Sequence, residues 1–228
     1  MQPLGESLPA YWITREGYRE VGPPAFSPEG RWIASDGYKE GFYGSDAEIR
    51  VVRRDGTQSR KLTVGAAPRW SPDGKRLLLM REKSKRPDVK LRVYVIDRDG
   101  KNERWICEGP RPDWSPNGKR IALCHVAPLS RIPLIRIVDL GTGQQEVIGY
   151  GFYRADWSPD GKAVVANGFS KQRHVAMVRL RVDVPFEPEF LVPEIDIALS
   201  PSISSDGKYM VFVAQRPKDA ENQAAASQ

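Results

Sequence analysis

Cysteine and histidine are scarce in this chain, two of each among 228 residues. Two cysteines cannot build a disulfide scaffold. Cys107 and Cys124 both sit in apolar, strand-like runs, where a buried free thiol is the ordinary state and a single disulfide the alternative. His125 and His174 have no second histidine or cysteine at metal-ligand spacing, so no metal centre and no cofactor is expected, and both read as strand or strand-end residues. Long apolar runs are missing as well. Nothing approaches the roughly 18 residues of a membrane-spanning helix, so no membrane insertion is expected. The first 25 residues contain no apolar core of a secretion signal. The chain therefore reads as soluble and cytoplasmic, or as periplasmic if it is a mature or trimmed form. A Gly-x-Ser-x-Gly nucleophile elbow is also missing, which removes the serine peptidases built on that turn.

What is present is enough for a packed body. Hydrophobic residues make up 40% and charged residues 28%, which excludes a chain disordered throughout. The 20 glycines and 19 prolines are spread along the sequence and mark frequent ordered turns, not a linker. The formal charge of +6 is distributed over those turns and reads first as solubility. It leaves an anionic polymer as a weaker option, and nucleic acid is not expected.

One phrase recurs five times. Phe26 opens FSPEGRWIAS, Trp70 opens WSPDGKRLLLM, Trp114 opens WSPNGKRIALC, Trp157 opens WSPDGKAVVAN, and Ile203 opens ISSDGKYMVFV. The copies are 44, 44, 43 and 46 residues apart, a period of helical arrays or of propeller blades. The segments between turns are short and rich in Val, Ile, Leu, Tyr and Trp, which decides for strands. In the second unit, strands are expected over 67–71, 75–82, 90–97 and 103–108. The phrase itself is the turn between the first two. Ser71 accepts a local backbone hydrogen bond, Pro72 sets φ at the first central position, Asp73 tolerates the second, and Gly74 takes a positive φ. A buried aromatic anchor precedes it. Runs such as IALC at 121–124 do not alternate, as expected of strands covered on both faces. DRDGKN at 97–102 and RRDGTQ at 53–58 carry the Asp-Gly signal of a hairpin, and DLGTGQ at 139–144 serves the same place.

Residues 10–22 match the third and fourth strands of a unit, and only a second strand follows the fifth phrase. The sum is five four-stranded blades, an all-β propeller over 1–215 whose last blade is closed by N-terminal and C-terminal strands, with a polar tail at 216–228. An incomplete six-bladed ring is the alternative.

The pattern Pro-x-aromatic-Ser-Pro-Asp-Gly-Lys resembles the TolB-type propeller repeat. Pro24, Pro68, Pro112 and Pro201 stand two residues before their anchors, while the fourth copy has Ala155 there, and the fifth replaces aromatic and proline by Ile203 and Ser205. The resemblance implies a propeller over nearly the whole chain. TolB-type proteins that bind partners in the cell envelope have a six-bladed ring, a further N-terminal domain and a leader, none of which this sequence displays. Related repeats also form lids on prolyl-oligopeptidase-type enzymes and the body of an oligogalacturonate lyase, so the fold does not fix the function.

The repeated turns are short and uniform, so their face of the disc is structural. The opposite face carries the longer loops, where binding is expected. Three loops stand out. Residues 36–46 offer Tyr38, Phe42 and Tyr43. Residues 149–156 offer Tyr150, Phe152, Tyr153 and Arg154. Residues 81–90 offer Arg81, Lys83, Lys85, Arg86 and Lys90. Aromatic and arginine side chains anchor protein interfaces, and the aromatics also suit sugars. The plainer reading is that such aromatics pack under their own loops and the cations form a solvated face. Asp113, Asp156, Glu194 and Asp196 lie in or just before inner strands and are candidates for the channel mouth, as acid-base groups or as ordinary rim residues.

The first expectation is a monomeric, non-enzymatic scaffold that presents the loop face to a protein or peptide partner. A carbohydrate-active hydrolase or lyase using channel carboxylates is the second, with carbohydrate as the bound partner. Binding of an anionic polymer through 81–90 is the third.

Overall fold

A computed structural model describes residues 19–20, 24–38, 47–82, 91–126, 131–169, 175–191, 197–204 and 206–215. Every regular element in them is a strand. The first sheet holds β1 (Arg19–Glu20), β2 (Ala25–Phe26), β3 (Trp32–Tyr38), β4 (Glu48–Arg53) and β5 (Arg60–Val64). The second runs β6 (Ala66–Trp70), β7 (Arg76–Glu82), β8 (Leu91–Asp97) and β9 (Arg104–Glu108). The third is β10 (Asp113–Trp114), β11 (Arg120–Val126), β12 (Pro133–Asp139) and β13 (Gln145–Tyr150). The fourth is β14 (Phe152–Trp157), β15 (Ala163–Phe169), β16 (Val175–Arg181) and β17 (Pro188–Phe190), followed by the hairpin β18 (Ile197–Ile203) and β19 (Met210–Gln215). Within each blade neighbouring strands are antiparallel, and the second unit matches the expected strands to within one residue at each end.

The repeated phrase folds as its residues demand. Gly74 N–H donates to the Ser71 carbonyl at 2.9 Å, with Gly74 at φ +66°. The Ser71 hydroxyl is fully buried, accepts from Arg76 N–H at 2.9 Å and donates to Asp73 Oδ1 at 2.6 Å. Asp73 Oδ1 also accepts from Lys75 N–H at 3.0 Å. Burial opposes ionisation of Asp73, but the Ser71 hydroxyl and the Lys75 amide outweigh it and hold its carboxyl below the usual range. The same bonds recur at Ser115, Ser158 and Ser204, so the fifth turn keeps its pin although its aromatic and proline are gone. Both Asp-Gly turns form, through Gly56 N–H to Arg53 O and Gly100 N–H to Asp97 O, each 2.8 Å.

The anchors lock one blade to the one before it. Trp70, Trp114 and Trp157 are 8%, 5% and 6% exposed. Trp70 Nε1–H donates to Ala25 O at 2.9 Å and Trp114 Nε1–H to Arg69 O at 3.0 Å, each carbonyl belonging to the preceding inner strand. Arg76 and Arg120, also from the preceding blade, lie over the rings of Trp114 and Trp157 at 5.1 and 5.2 Å. Around each tryptophan an apolar core spans two blades. Ala34, Ile49, Val51, Leu77 and Leu79 pack with Trp70, and Leu78, Val93, Val95, Cys107 and Leu123 with Trp114. Ala122, Ile135, Ile148, Phe152 and Val164 pack with Trp157. Burying one such ring is worth roughly 4–6 kcal/mol of gross transfer energy. The second strands are buried on both faces, as their non-alternating sequence implies. Cys107 and Cys124 are free buried thiols, and burial pushes the Cys107 thiol up to about 11. His125 lies within β11, and His174 is outside the described residues.

Two expectations change. Phe26 is not a buried anchor: it is 58% exposed, because no described blade stands in front of β2. Arg19 and Glu20 do not join the last blade. They pair with Tyr38 and Gly37 and extend the inner strand of the first. β18 meets β16 through a single parallel pair, Val175 opposite Ile197, and the β19 residues Val211 and Val213 are 67% and 64% exposed. Residues 1–18 and 216–228, on which closure of a fifth blade and the tail rest, lie outside the described residues.

Candidate functional site

The inner strands β6, β10 and β14 bring one group of charges together. Arg69, Asp113 and Asp156 each precede their tryptophan and occupy equivalent ladder positions, opposite Leu78, Ala122 and Val165. Asp113 Oδ2 accepts from the Trp157 N–H at 2.9 Å, so this carboxylate staples the third inner strand to the fourth. Burial raises its pKa against that bond and the field of Arg69. Asp156 is pushed up to about 6, first by burial and then by the charge of Asp113, with Arg69 and Arg154 pulling the other way. Asp113 and Asp156 were expected at the channel mouth; the structure sets them on neighbouring inner strands, where the charge of Asp113 helps to raise the pKa of Asp156. Glu194 and Asp196 lie outside the described residues.

Two residues before these positions stand Ala67, Arg111 and Arg154, each in the left-handed region at φ +52°. The backbone of each is held by the second strand of the preceding blade. Ala67 N–H donates to Asp36 Oδ2 at 2.8 Å, Arg111 N–H to Met80 Sδ at 3.0 Å, and the Arg154 amide to the Cys124 sulfur. In the fourth blade this acceptor position is Asn167, 5% exposed, whose buried Oδ1 finds no donor among the described residues. Burial and the neighbouring Arg111 charge lower the proton affinity of Arg154, and Asp156 partly restores it.

On the loop side, Tyr150 ends β13 at 56% exposure, and Tyr153 in β14 is 38% exposed. The Tyr150 ring stacks on Phe186, itself 52% exposed, with centroids 5.6 Å apart and planes at 16°. Phe152, by contrast, is buried in the core around Trp157. Tyr38 closes β3, half-buried. Phe42, Tyr43, Lys83, Lys85, Arg86 and Lys90 lie outside the described residues. Arg81 is not a free loop cation: it bonds Val64 O at 2.7 Å, pairs with Glu103 at 2.9 Å and covers Tyr94. Arg69, Arg111 and Phe186 were missed by sequence reading. For the two arginines, superimposing the repeats on their aromatic position would have exposed them, since they share positions with Asp113, Asp156 and Arg154. A recess of about 440 Å³ lies on the uniform-turn side between the fourth and fifth turns, but Arg179 and Arg181 in its wall are paired with Glu189 and Asp183. Among the described residues, no group of three His, Cys, Asp or Glu side chains could hold a metal, and no helix is long and apolar enough to cross a membrane.

No family profile and no curated protein matches the chain. Solved structures do. TolB from Acinetobacter baumannii superposes with a TM-score of 0.67 at 20% identity, over 83% of this chain and 48% of that one, so the chain spans about half the length of that protein. An oligogalacturonate lyase in complex with manganese gives 0.70 at 12% identity, over 91% and 68%. The β-propeller domain of the trilobed protease from Pyrococcus furiosus, described as having an open velcro topology, gives 0.64 at 16% identity, over 90% and 66%. At these identities the likeness carries the fold: the chain is a TolB-like β-propeller of four-stranded antiparallel blades.

Proposed function

We propose that the chain is a non-enzymatic binding scaffold whose loop face takes a protein or peptide partner. The observation that carries this reading is the exposed pair Tyr150 and Tyr153 beside Arg154, on the connection between the third and fourth blades. Rigid aromatics and arginine on a preorganised scaffold supply contact area at little entropic cost. TolB proteins bind protein partners, which supports the same reading. TolB is periplasmic, so the likeness gives the cytoplasmic location no support. The test compares the two faces. Alanine at Tyr43, Tyr153 and Arg154 should weaken the bound complex. Neutralising Lys83, Lys85 and Arg86 should slow association and flatten its salt dependence with an acidic partner. Lys75, Lys119 and Lys162 on the uniform turns should matter little, and equal losses from both faces would refute the assignment.

A second reading rests on Asp156, whose pKa of about 6 suits general acid-base chemistry on a polysaccharide. Turnover abolished by Asp156→Asn or Asp113→Asn would establish it. The third reading, an anionic polymer on 81–90, is weakened by the engagement of Arg81.

A further inference from the structure

The junction between the fourth blade and the β18–β19 hairpin departs from the earlier junctions at two positions. Trp32, Arg76, Arg120 and Ala163 hold one place in the repeat, since the amide of each donates to the serine hydroxyl of its own turn. Trp32 packs against the core of Trp70, and Arg76 and Arg120 lie over the rings of Trp114 and Trp157. Ala163 ends at a methyl group, and the anchor of the following turn is Ile203, not a tryptophan. Two residues further along, Ala34, Leu78 and Ala122 each pack with the tryptophan of the next blade, and the same place in the fourth blade is Val165. This junction therefore lacks both the ring and the side chain that covers it.

A recess of about 440 Å³ lies there, with Ala163, Val165 and Ile203 in its lining, a size within the range of small-ligand sites. Its wall carries guanidinium groups that the earlier junctions do not place here. Arg181 is the ladder partner of Ala163 and Arg179 that of Val165, so these side chains share one face of the sheet. The corresponding third-strand residues are Asp97 and Val95 in the second blade and Asp139 and Ile137 in the third. Arg179 Nη1 donates to Glu189 Oε2 at 3.2 Å, and Arg181 holds Asp183 through Nε at 3.1 Å and Nη2 at 2.6 Å. Such bonds run along the edge of a guanidinium, so they fix its orientation and leave its faces for stacking. The lining also balances its charge, with Lys162, Arg179 and Arg181 against Asp160, Asp183 and Asp206. An uncharged group suits that balance better than an ion. No aromatic side chain is among the lining residues, although Arg76 and Arg120 each cover one at the earlier junctions.

We propose that this recess binds a planar aromatic group of indole size, its ring against Val165 and Ile203 and facing the guanidinium groups of Arg179 and Arg181. The ligand supplies the ring that the repeat itself supplies at the three preceding junctions. The site lies on the uniform-turn side and does not rest on the loop-face reading.

The test titrates the full chain with indole and with a capped Gly-Trp-Gly peptide, followed in two-dimensional amide NMR spectra. Cyclohexanol and a capped Gly-Leu-Gly peptide are the aliphatic counterparts. An aromatic probe should bind about tenfold more tightly than its counterpart and shift the amides of Gly161, Ala163 and Gly207. Tighter binding of indole identifies a free aromatic compound as the ligand, and equal or tighter binding of the peptide identifies a side chain. Ala163→Arg restores the residue of the second and third blades and should abolish the preference with the melting temperature unchanged or raised. Arg179→Met and Arg181→Met keep the stem without the guanidinium, and each should weaken the aromatic probe about threefold. Lys119→Met, on another turn, should not. Absence of binding by both aromatic probes overturns the site, as do equal affinities for the aliphatic counterparts or amide shifts centred elsewhere. Should Ala163→Arg fail to fold, the double variant Arg179→Met, Arg181→Met decides, and an undiminished preference in it overturns the proposal.

Discussion

The indole N–H of Trp114 donates to the carbonyl oxygen of Arg69 at 3.0 Å, across the junction of two blades. Trp114 is 5% exposed and lies in the apolar core shared by those blades, so its removal opens a cavity and leaves the Arg69 carbonyl without its indole donor. Trp114→Ala should cost roughly 3–5 kcal/mol in denaturant unfolding. Phe26→Ala, at the equivalent position but 58% exposed, should cost under about 1 kcal/mol. Equal losses at the two sites would mean that Phe26 is covered in solution.

Two glycines separate backbone strain from steric clash. Gly56 sits at φ +81° with nothing within 4 Å of the place a Cβ would take, so Gly56→Ala should cost about 1 kcal/mol. Gly65, at φ +145°, would place a Cβ 2.7 Å from Leu79 Cδ1 and 3.0 Å from the Met80 carbonyl oxygen. Gly65→Ala should cost roughly 2–4 kcal/mol, since both the strand entry and the core must shift. Thermal melts of the two variants distinguish the effects.

Asp156 makes stability depend on pH in an uncommon direction. Its pKa rises from 3.8 to about 6 on folding, through burial and the charge of Asp113 against the pull of Arg69 and Arg154. Between those values the folded chain holds a proton that the unfolded chain has released. This group's contribution is therefore full below the lower value and is lost as pH rises through the upper one. The ionised form costs on the order of 3 kcal/mol at neutral pH. Asp156→Asn should stabilise the protein at pH 7 by up to that amount and flatten its stability between pH 4 and 7. An unchanged pH profile would place Asp156 in water.

Closure of a fifth blade by N-terminal residues carries its own test. Deleting residues 1–22 should abolish cooperative unfolding or cause aggregation through the open strand edge. It would also remove the pairing of Arg19 and Glu20 with β3. A soluble monomer with the parent melting curve would count against the five-blade ring.

Periodicity made the blades legible, because a turn with a serine pin, a Pro and a positive-φ Gly leaves one local solution, and the 44-residue spacing repeats it. Strand ends in the second blade were readable to one residue for that reason. Phe26 was not, since a repeat gives every anchor the same local reading while burial depends on what stands in front of it. Asp113 and Asp156 were visible as acids beside an anchor. Arg69 was not, because its field reaches Asp113 and Asp156 only through the packing of successive blades. Arg81 looked like a loop cation until its partners, Val64 and Glu103, lay at one strand end in three dimensions.

Trp70 and Trp114 each donate back to a carbonyl of the preceding inner strand, and Trp114 and Trp157 are each roofed by an arginine of the preceding blade, so successive junctions share parts of one pattern without repeating it whole. A whole unit can therefore be duplicated or lost in evolution with modest redesign at its junctions, because each new neighbour meets a similar buried tryptophan and core. What such an event alters is the turn per blade around the axis. The width of the central opening, and with it the separation of Arg69, Asp113 and Asp156, would be retuned by copy number rather than by substitution.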